Sequence, residues 1–167
     1  MCQIGDIIVV YRYKDGNKTL PTHSFVVLDD NNGQIQGIDF DFVGLVMSSF
    51  KDEEQKKRKL SYPGNFPITP DDQEIYDGDN GESGYIKAEQ FYYFNKEKIP
   101  YKVIGKLDVE IFNLLIDFIQ KLVSDGVIFR QITENLWIKA QLFLRSEMVP
   151  DTLERVPEML DTPPSQK

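Results

Sequence analysis

Through its first hundred residues the chain alternates short apolar runs with polar breaks. A helical period sets in only after residue 108. Ile4 to Tyr13 centres on Ile7-Ile8-Val9-Val10-Tyr11, a β-branched and aromatic run that predicts a strand. Asp15-Gly16-Asn17 is a turn signal. Ser24 to Leu28 predicts a second strand, and Asp29-Asp30-Asn31-Asn32-Gly33 a hairpin turn after it. Gln34 to Phe40 reads as a third strand. Phe42 to Phe50 reads as a fourth, and its near-continuous apolar stretch predicts burial on both faces.

Residues 51–84 form a polar middle with Pro63, Pro67 and Pro70, read as surface loop apart from a short edge strand at Phe66-Pro67-Ile68. Tyr85 to Phe94 and Tyr101 to Gly105 predict two more strands. Asp108 to Ser124 predicts a helix, with Asp108 as N-cap and Gly126 as stop. Its core-facing stripe is Ile111, Leu114, Leu115, Phe118 and Leu122. A second helix is expected over about Glu134 to Ser146, capped by Thr133, with Trp137, Ala140, Gln141 and Leu144 at helical spacing. Pro150 and Pro157 interrupt the chain beyond that helix, and the last residues read as disordered. Strands first and helices after give the α+β class: a small, curved, mostly antiparallel sheet packed on at least one amphipathic helix.

Composition narrows the function. The chain has 167 residues, 41% of them hydrophobic, enough for one ordinary domain with short appendages. No apolar run is long enough to span a bilayer, the first residues do not read as a secretory signal, and Cys2 is the single cysteine. The expectation is a cytoplasmic protein with no membrane association. The net charge is −8, and it is uneven. Residues 70–84 hold six acids and no base, and residues 146–167 hold five acids against Arg155 and Lys167. The rest of the chain is therefore near neutral, and local basic patches on it can hold RNA.

No strong catalytic or nucleotide-binding motif is present. One His and one Cys are too few for a typical zinc site, so no metal and no cofactor are expected. Asp77-Gly78-Asp79-Asn80-Gly81-Glu82 lacks the spacing of a twelve-residue calcium loop and reads as a solvated turn. His23 is the one side chain suited to proton transfer near neutral pH, although on sequence alone a lone histidine is usually structural or merely exposed. Lys51, Lys56, Lys57, Arg58 and Lys59 form a basic run, suited to phosphate or simply to solvent. Tyr92-Tyr93-Phe94 offers rings for base stacking or for a core.

Taken in order, several segments resemble the MazF/PemK family of toxin–antitoxin ribonucleases. They are Gly5-Asp6-Ile7-Ile8, Phe25-Val26-Val27-Leu28, Val43-Gly44-Leu45-Val46-Met47-Ser48-Ser49, Tyr85-Ile86-Lys87-Ala88-Glu89-Gln90-Phe91 and Ile104-Gly105-Lys106-Leu107-Asp108. The resemblance covers about residues 4–122. It implies an SH3-like barrel over residues 1–125 with a polar insertion at about 51–84. An additional helix at 126–147 and an acidic, Pro-containing tail at 148–167 lie beyond it. It also implies a homodimer, an antitoxin partner, and metal-independent cleavage of single-stranded RNA through attack by the 2′-hydroxyl.

His23-Ser24 stands where the family has Arg-Pro, and Tyr92 stands where a second base is often found. Ser49 keeps the family's hydroxyl. On this reading His23 is base or acid, Ser49 donates to a phosphate oxygen, and Lys51 supplies charge from the same strand face. Tyr92, Lys56, Lys57 and Arg58 contact RNA. Three functions stay open: a ribonuclease toxin, a catalytically degenerate binding or regulatory module with a protein or nucleic-acid partner, and an acidic mimic of nucleic acid. The acidic tail, through Glu147, Asp151, Glu154, Glu158 and Asp161, is a candidate internal cover for the basic surface, as well as a candidate solvated tail.

Overall fold

β-Branched and aromatic runs favour pleated pairing, and here they pair mostly antiparallel. The computed structural model of the protein describes residues 2–15, 18–29, 34–35, 38–39, 42–95 and 99–133. The first four strands are β1 (Asp6–Val10), β2 (Tyr13–Asp15), β3 (Lys18–Leu20) and β4 (His23–Asp29). β5 (Gln34–Ile35), β6 (Ile38–Asp39) and β7 (Phe42–Ser49) follow, then the helix α1 (Glu53–Leu60). Next come β8 (Asn65–Ile68), a 3₁₀ turn at Pro70–Asp72, β9 (Gln73–Ile75), β10 (Gly84–Phe94) and β11 (Tyr101–Leu107). α2 (Val109–Ser124) and β12 (Arg130–Thr133) complete the described chain.

The main sheet has eight strands in the order β12-β10-β7-β4-β1-β11-β9, with β8 also on β10. Among the described pairings only β12 on β10 is parallel, and the sheet curls into a half-barrel. Gly5 stitches its middle. Its φ of +85° is a backbone state that suits glycine. From there its N–H donates to the Val27 carbonyl at 2.8 Å, and its own carbonyl accepts from the Leu107 N–H at 2.9 Å.

Each face of the sheet buries its own core. On one face Val26, Val43, Leu45 and Ile86 meet Leu115, Ile119 and Leu122 of α2. On the other, Ile8, Val10, Phe25, Phe42, Val46 and Phe94 pack under the β2–β3 hairpin through Tyr13. The Tyr13 hydroxyl donates to the Tyr93 and Ile132 carbonyls at 3.4 and 3.2 Å, which ties the hairpin to β10 and β12. β7 is buried on both faces over residues 42–46, as its continuous apolar run predicts, and opens to solvent toward Ser49.

α2 begins at Asp108, whose carboxylate accepts from the Glu110 and Ile111 N–H groups. Leu115, Ile119 and Leu122 are its buried residues. Leu114, expected in the stripe, is 54% exposed. The stripe turns through the 115–119–122 positions, and Leu114 lies on the flank that the sheet does not reach.

Three other expectations need correcting. The polar middle is not mostly loop, since it contains α1 and β9 besides β8, the short strand expected at Phe66-Pro67-Ile68. The expected Gln34–Phe40 strand is a pair of two-residue strands, β5 and β6, bonded to each other rather than to the main sheet. Gln36-Gly37, a turn signal in the sequence, separates them. The sheet also continues past residue 125 through β12. The expected helix at 134–146 and the acidic tail lie outside the described residues.

Candidate functional site

At one end of β1, β4 and β7 the sheet face that packs on α2 opens into a pocket of about 270 Å³. Its apolar lining is Ile7, Met47, Ile68, Ile75 and Ile104. Ser24, Ser48, Ser49, Gln73 and Asn80 add polar groups, and Asp79 and Glu82 add two carboxylates. Among the described residues no Lys, Arg or His lines it. Ser24 stands opposite Met47 in the ladder, and Ser49 lies two residues beyond Met47, so period-2 alternation puts both serines on the pocket's face.

The wall opposite these strands is the 73–82 segment, held by short local hydrogen bonds. The Gln73 side-chain amide donates to the Asn80 carbonyl at 2.6 Å, and the Asn80 side-chain oxygen accepts from the Ile75 N–H at 3.1 Å. The Asp79 carboxylate accepts from the Gly81 N–H at 3.1 Å. Gly81, at φ +73°, makes the turn. Two other acids of the same segment face lysines of β11: Glu74 pairs with Lys106 at 3.2 Å and Asp77 with Lys102 at 3.4 Å. The Lys106 ammonium is held above its usual 10.5, first by the hydrogen bond to Glu74 and then by attraction to the same carboxylate.

The sequence-predicted site residues do not converge. His23 pairs with Val10 on β4, on the face that buries Phe25, whereas Ser49 shares the Met47 face. Neighbouring strand positions point to opposite sides, so His23 and Ser49 are separated by the sheet. Lys51 is not on a strand face at all. β7 ends at Ser49, and Lys51 immediately precedes Asp52, the N-cap of α1. Its N–H donates to the Gln55 side chain at 2.8 Å, while Asp52 accepts from the Gln55 N–H at 2.6 Å. Tyr92 is 4% exposed, with its ring centroid 5.0 Å from Phe25 and 5.5 Å from Tyr13. It is a core ring and presents no face for a base.

Lys56, Lys57 and Arg58 ride on α1. Lys57 and Arg58 are exposed in its last turn, where cations suit the negative end of the helix dipole. Lys56 pairs with Glu53 at 3.8 Å and lies 6.0 Å from the Phe50 ring. Lys59 lies 5.9 Å from the Tyr85 ring, and Phe50 and Tyr85 stack at 5.3 Å. Tyr85 stands opposite Ser48 in the ladder, which places this cationic, aromatic patch on His23's side of the sheet.

Sequence reasoning missed Ser24, Gln73, Asp79 and Glu82 as parts of one pocket. It also missed α1, for which one signal exists: Asp52 and Gln55 stand at capping-box spacing. Among the described residues there is no group of three or more His, Cys, Asp or Glu arranged to hold a metal ion. No described helix is long and apolar enough to cross a membrane.

The arrangement amounts to a strand-rich, barrel-like α+β protein with an acidic, aliphatic-lined pocket at one end of its sheet. No family model matches the chain, and no curated protein matches it.

Proposed function

We propose that the protein is a catalytically degenerate barrel of the MazF/PemK type, an SH3-like scaffold that works as a binding or regulatory module and uses the end pocket as its site. The five segments that resemble the family lie on β1, β4, β7, β10 and the β11–α2 junction. Those strands are consecutive neighbours in the sheet, in the order β10-β7-β4-β1-β11, which favours one inherited scaffold over scattered likeness.

The observation that carries the loss of catalysis is the parity of His23 and Ser49. Cleavage of RNA without metal needs a base at the 2′-hydroxyl and a donor at the phosphate around one reacting centre. Here the histidine and the serine point to opposite sides of the sheet. The pocket that contains Ser49 holds two carboxylates and, among the described residues, no cation, which disfavours a phosphate by simple Coulomb repulsion.

The ribonuclease reading keeps one observation in its favour: His23 shares a sheet face with the Phe50–Tyr85 pair and its flanking lysines. One experiment separates the two. Purified protein, His23→Ala and Ser49→Ala are incubated with mixed-sequence RNA in excess EDTA, and cut ends are mapped. Intact RNA in all three supports the binding module. Wild-type cleavage leaving 2′,3′-cyclic phosphate, lost in either variant, overturns it and restores the nuclease.

A further inference from the structure

Resting on the reading of the end pocket as a binding site, we infer that its ligand is a primary ammonium on an aliphatic stem, such as a lysine side chain or a free alkyl diamine. Size sets the scale of the ligand. About 270 Å³ is below the usual range for drug-sized ligands, roughly 300–1,000 Å³, and suits a single long side chain. The lining sets its body. Ile7, Met47, Ile75 and Ile104 offer an apolar track for methylenes, and a lysine buries its stem while keeping its charge at a polar rim.

Charge then selects the sign. The 73–82 segment treats its acids in two ways. Glu74 and Asp77 are neutralised by Lys106 and Lys102 of β11. Asp79 and Glu82 line the pocket and, among the described residues, take part in no ion pair. Asp79 spends one oxygen on the Gly81 N–H, which fixes the carboxylate in place and leaves its second oxygen as an acceptor. An ammonium has three donors and no acceptor. Two carboxylates and the hydroxyls of Ser24 and Ser49 supply the acceptors it needs. An anion finds no cation among the described residues of the pocket, and Asp79 and Glu82, both exposed, stand at its rim, where an ammonium keeps its charge while its stem is covered.

The test is an NMR titration of the full chain, following the Gly81 and Gly84 amides, with three probes: Nα-acetyl-lysine methylamide, its neutral norleucine counterpart and cadaverine. The lysine probe is expected to bind about three- to fivefold more tightly than the norleucine probe, the scale of exposed ion pairs. Asp79→Asn with Glu82→Gln should erase that preference, and so should raising the salt to about 1 M, where screening acts within roughly 3 Å. Stronger binding of the lysine probe than of cadaverine assigns the ammonium to a protein partner, and the reverse assigns it to a free diamine. Equal binding of the lysine and norleucine probes, no shift with any probe, or an unchanged preference in the double variant overturns the inference. The RNA assay above reads the binding-module proposal independently, so failure of one is distinguishable from failure of the other.

Discussion

Gly44, at the centre of β7, has no room for a methyl group. A Cβ there would lie 3.0 Å from the Phe94 ring, 3.3 Å from Phe25 Cβ and 3.4 Å from the Val26 carbonyl. Gly44→Ala is therefore expected to cost about 1–3 kcal/mol through overpacking, read as a lower urea midpoint with an unchanged slope. Gly105 is tighter in another way, because a Cβ there would run onto the Glu74 carbonyl, which is backbone and cannot swing aside. Gly105→Ala should part β9 from β11, seen as faster amide exchange at Ile75 and Gly105 while the core amides of β4 stay protected.

At this scale part of the site is legible in the sequence and part is not. Ser49 is legible because it ends a long apolar run in an ordered series of motifs. The separation of His23 from Ser49 is not, because facing depends on ladder register and a slip of one residue reverses it. Tyr92 shows the same limit: Tyr92 and Tyr93 are adjacent and alike, and only the register says which core each enters.

The two helices differ in what holds them. α2 is amphipathic and buries Leu115, Ile119 and Leu122, so its existence and its Asp108 cap are both readable from spacing. Asp108→Ala should lower stability by about 1 kcal/mol in a denaturant titration, as is typical of lost N-caps. α1 buries no residue. With no stripe to find, periodicity passes over it, and its helical state rests on the Asp52–Gln55 cap and on charges placed to suit the dipole. Asp52→Ala should fray α1 alone, with loss of helical chemical shifts over residues 53–60 and little change in the global unfolding midpoint. β10 is legible as a strand but not as a bent one. Its register against β7 shifts between Ile86 and Phe91, so its first part serves β8 and its second part β12.

Across the whole molecule, the sheet and the lead helix follow from apolar patterning, whereas the pocket does not. Its serines come from strands, and its acids come from a segment whose composition reads as solvent-exposed. The pairing of β9 with β11 brings that segment across the sheet end. The Lys106–Glu74 pair helps to fasten it. Because the folded-state value of Lys106 is raised, its contribution is fully present below 10.5 and is lost as pH rises through the raised value. Thermal midpoints of wild type and Lys106→Met should thus differ by a small amount from neutral pH up to 10.5 and converge as pH rises through the raised value. The difference is small because both partners are largely exposed, at 56% and 62%.

The place of β1 in the sheet has a consequence for synthesis. β1 (Asp6–Val10) sits between β4 and β11. A ribosome makes β4 soon after β1 but supplies residues 101–107 much later. At about 5–20 residues per second, one side of an Ile-Ile-Val-Val strand waits on the order of 5–20 s for its second neighbour. During that interval it is an open, sticky edge, so the nascent chain is a natural client for ribosome-bound chaperones. Slowing translation between residues 30 and 100 should increase its aggregation, while silent codon changes after residue 107 should not.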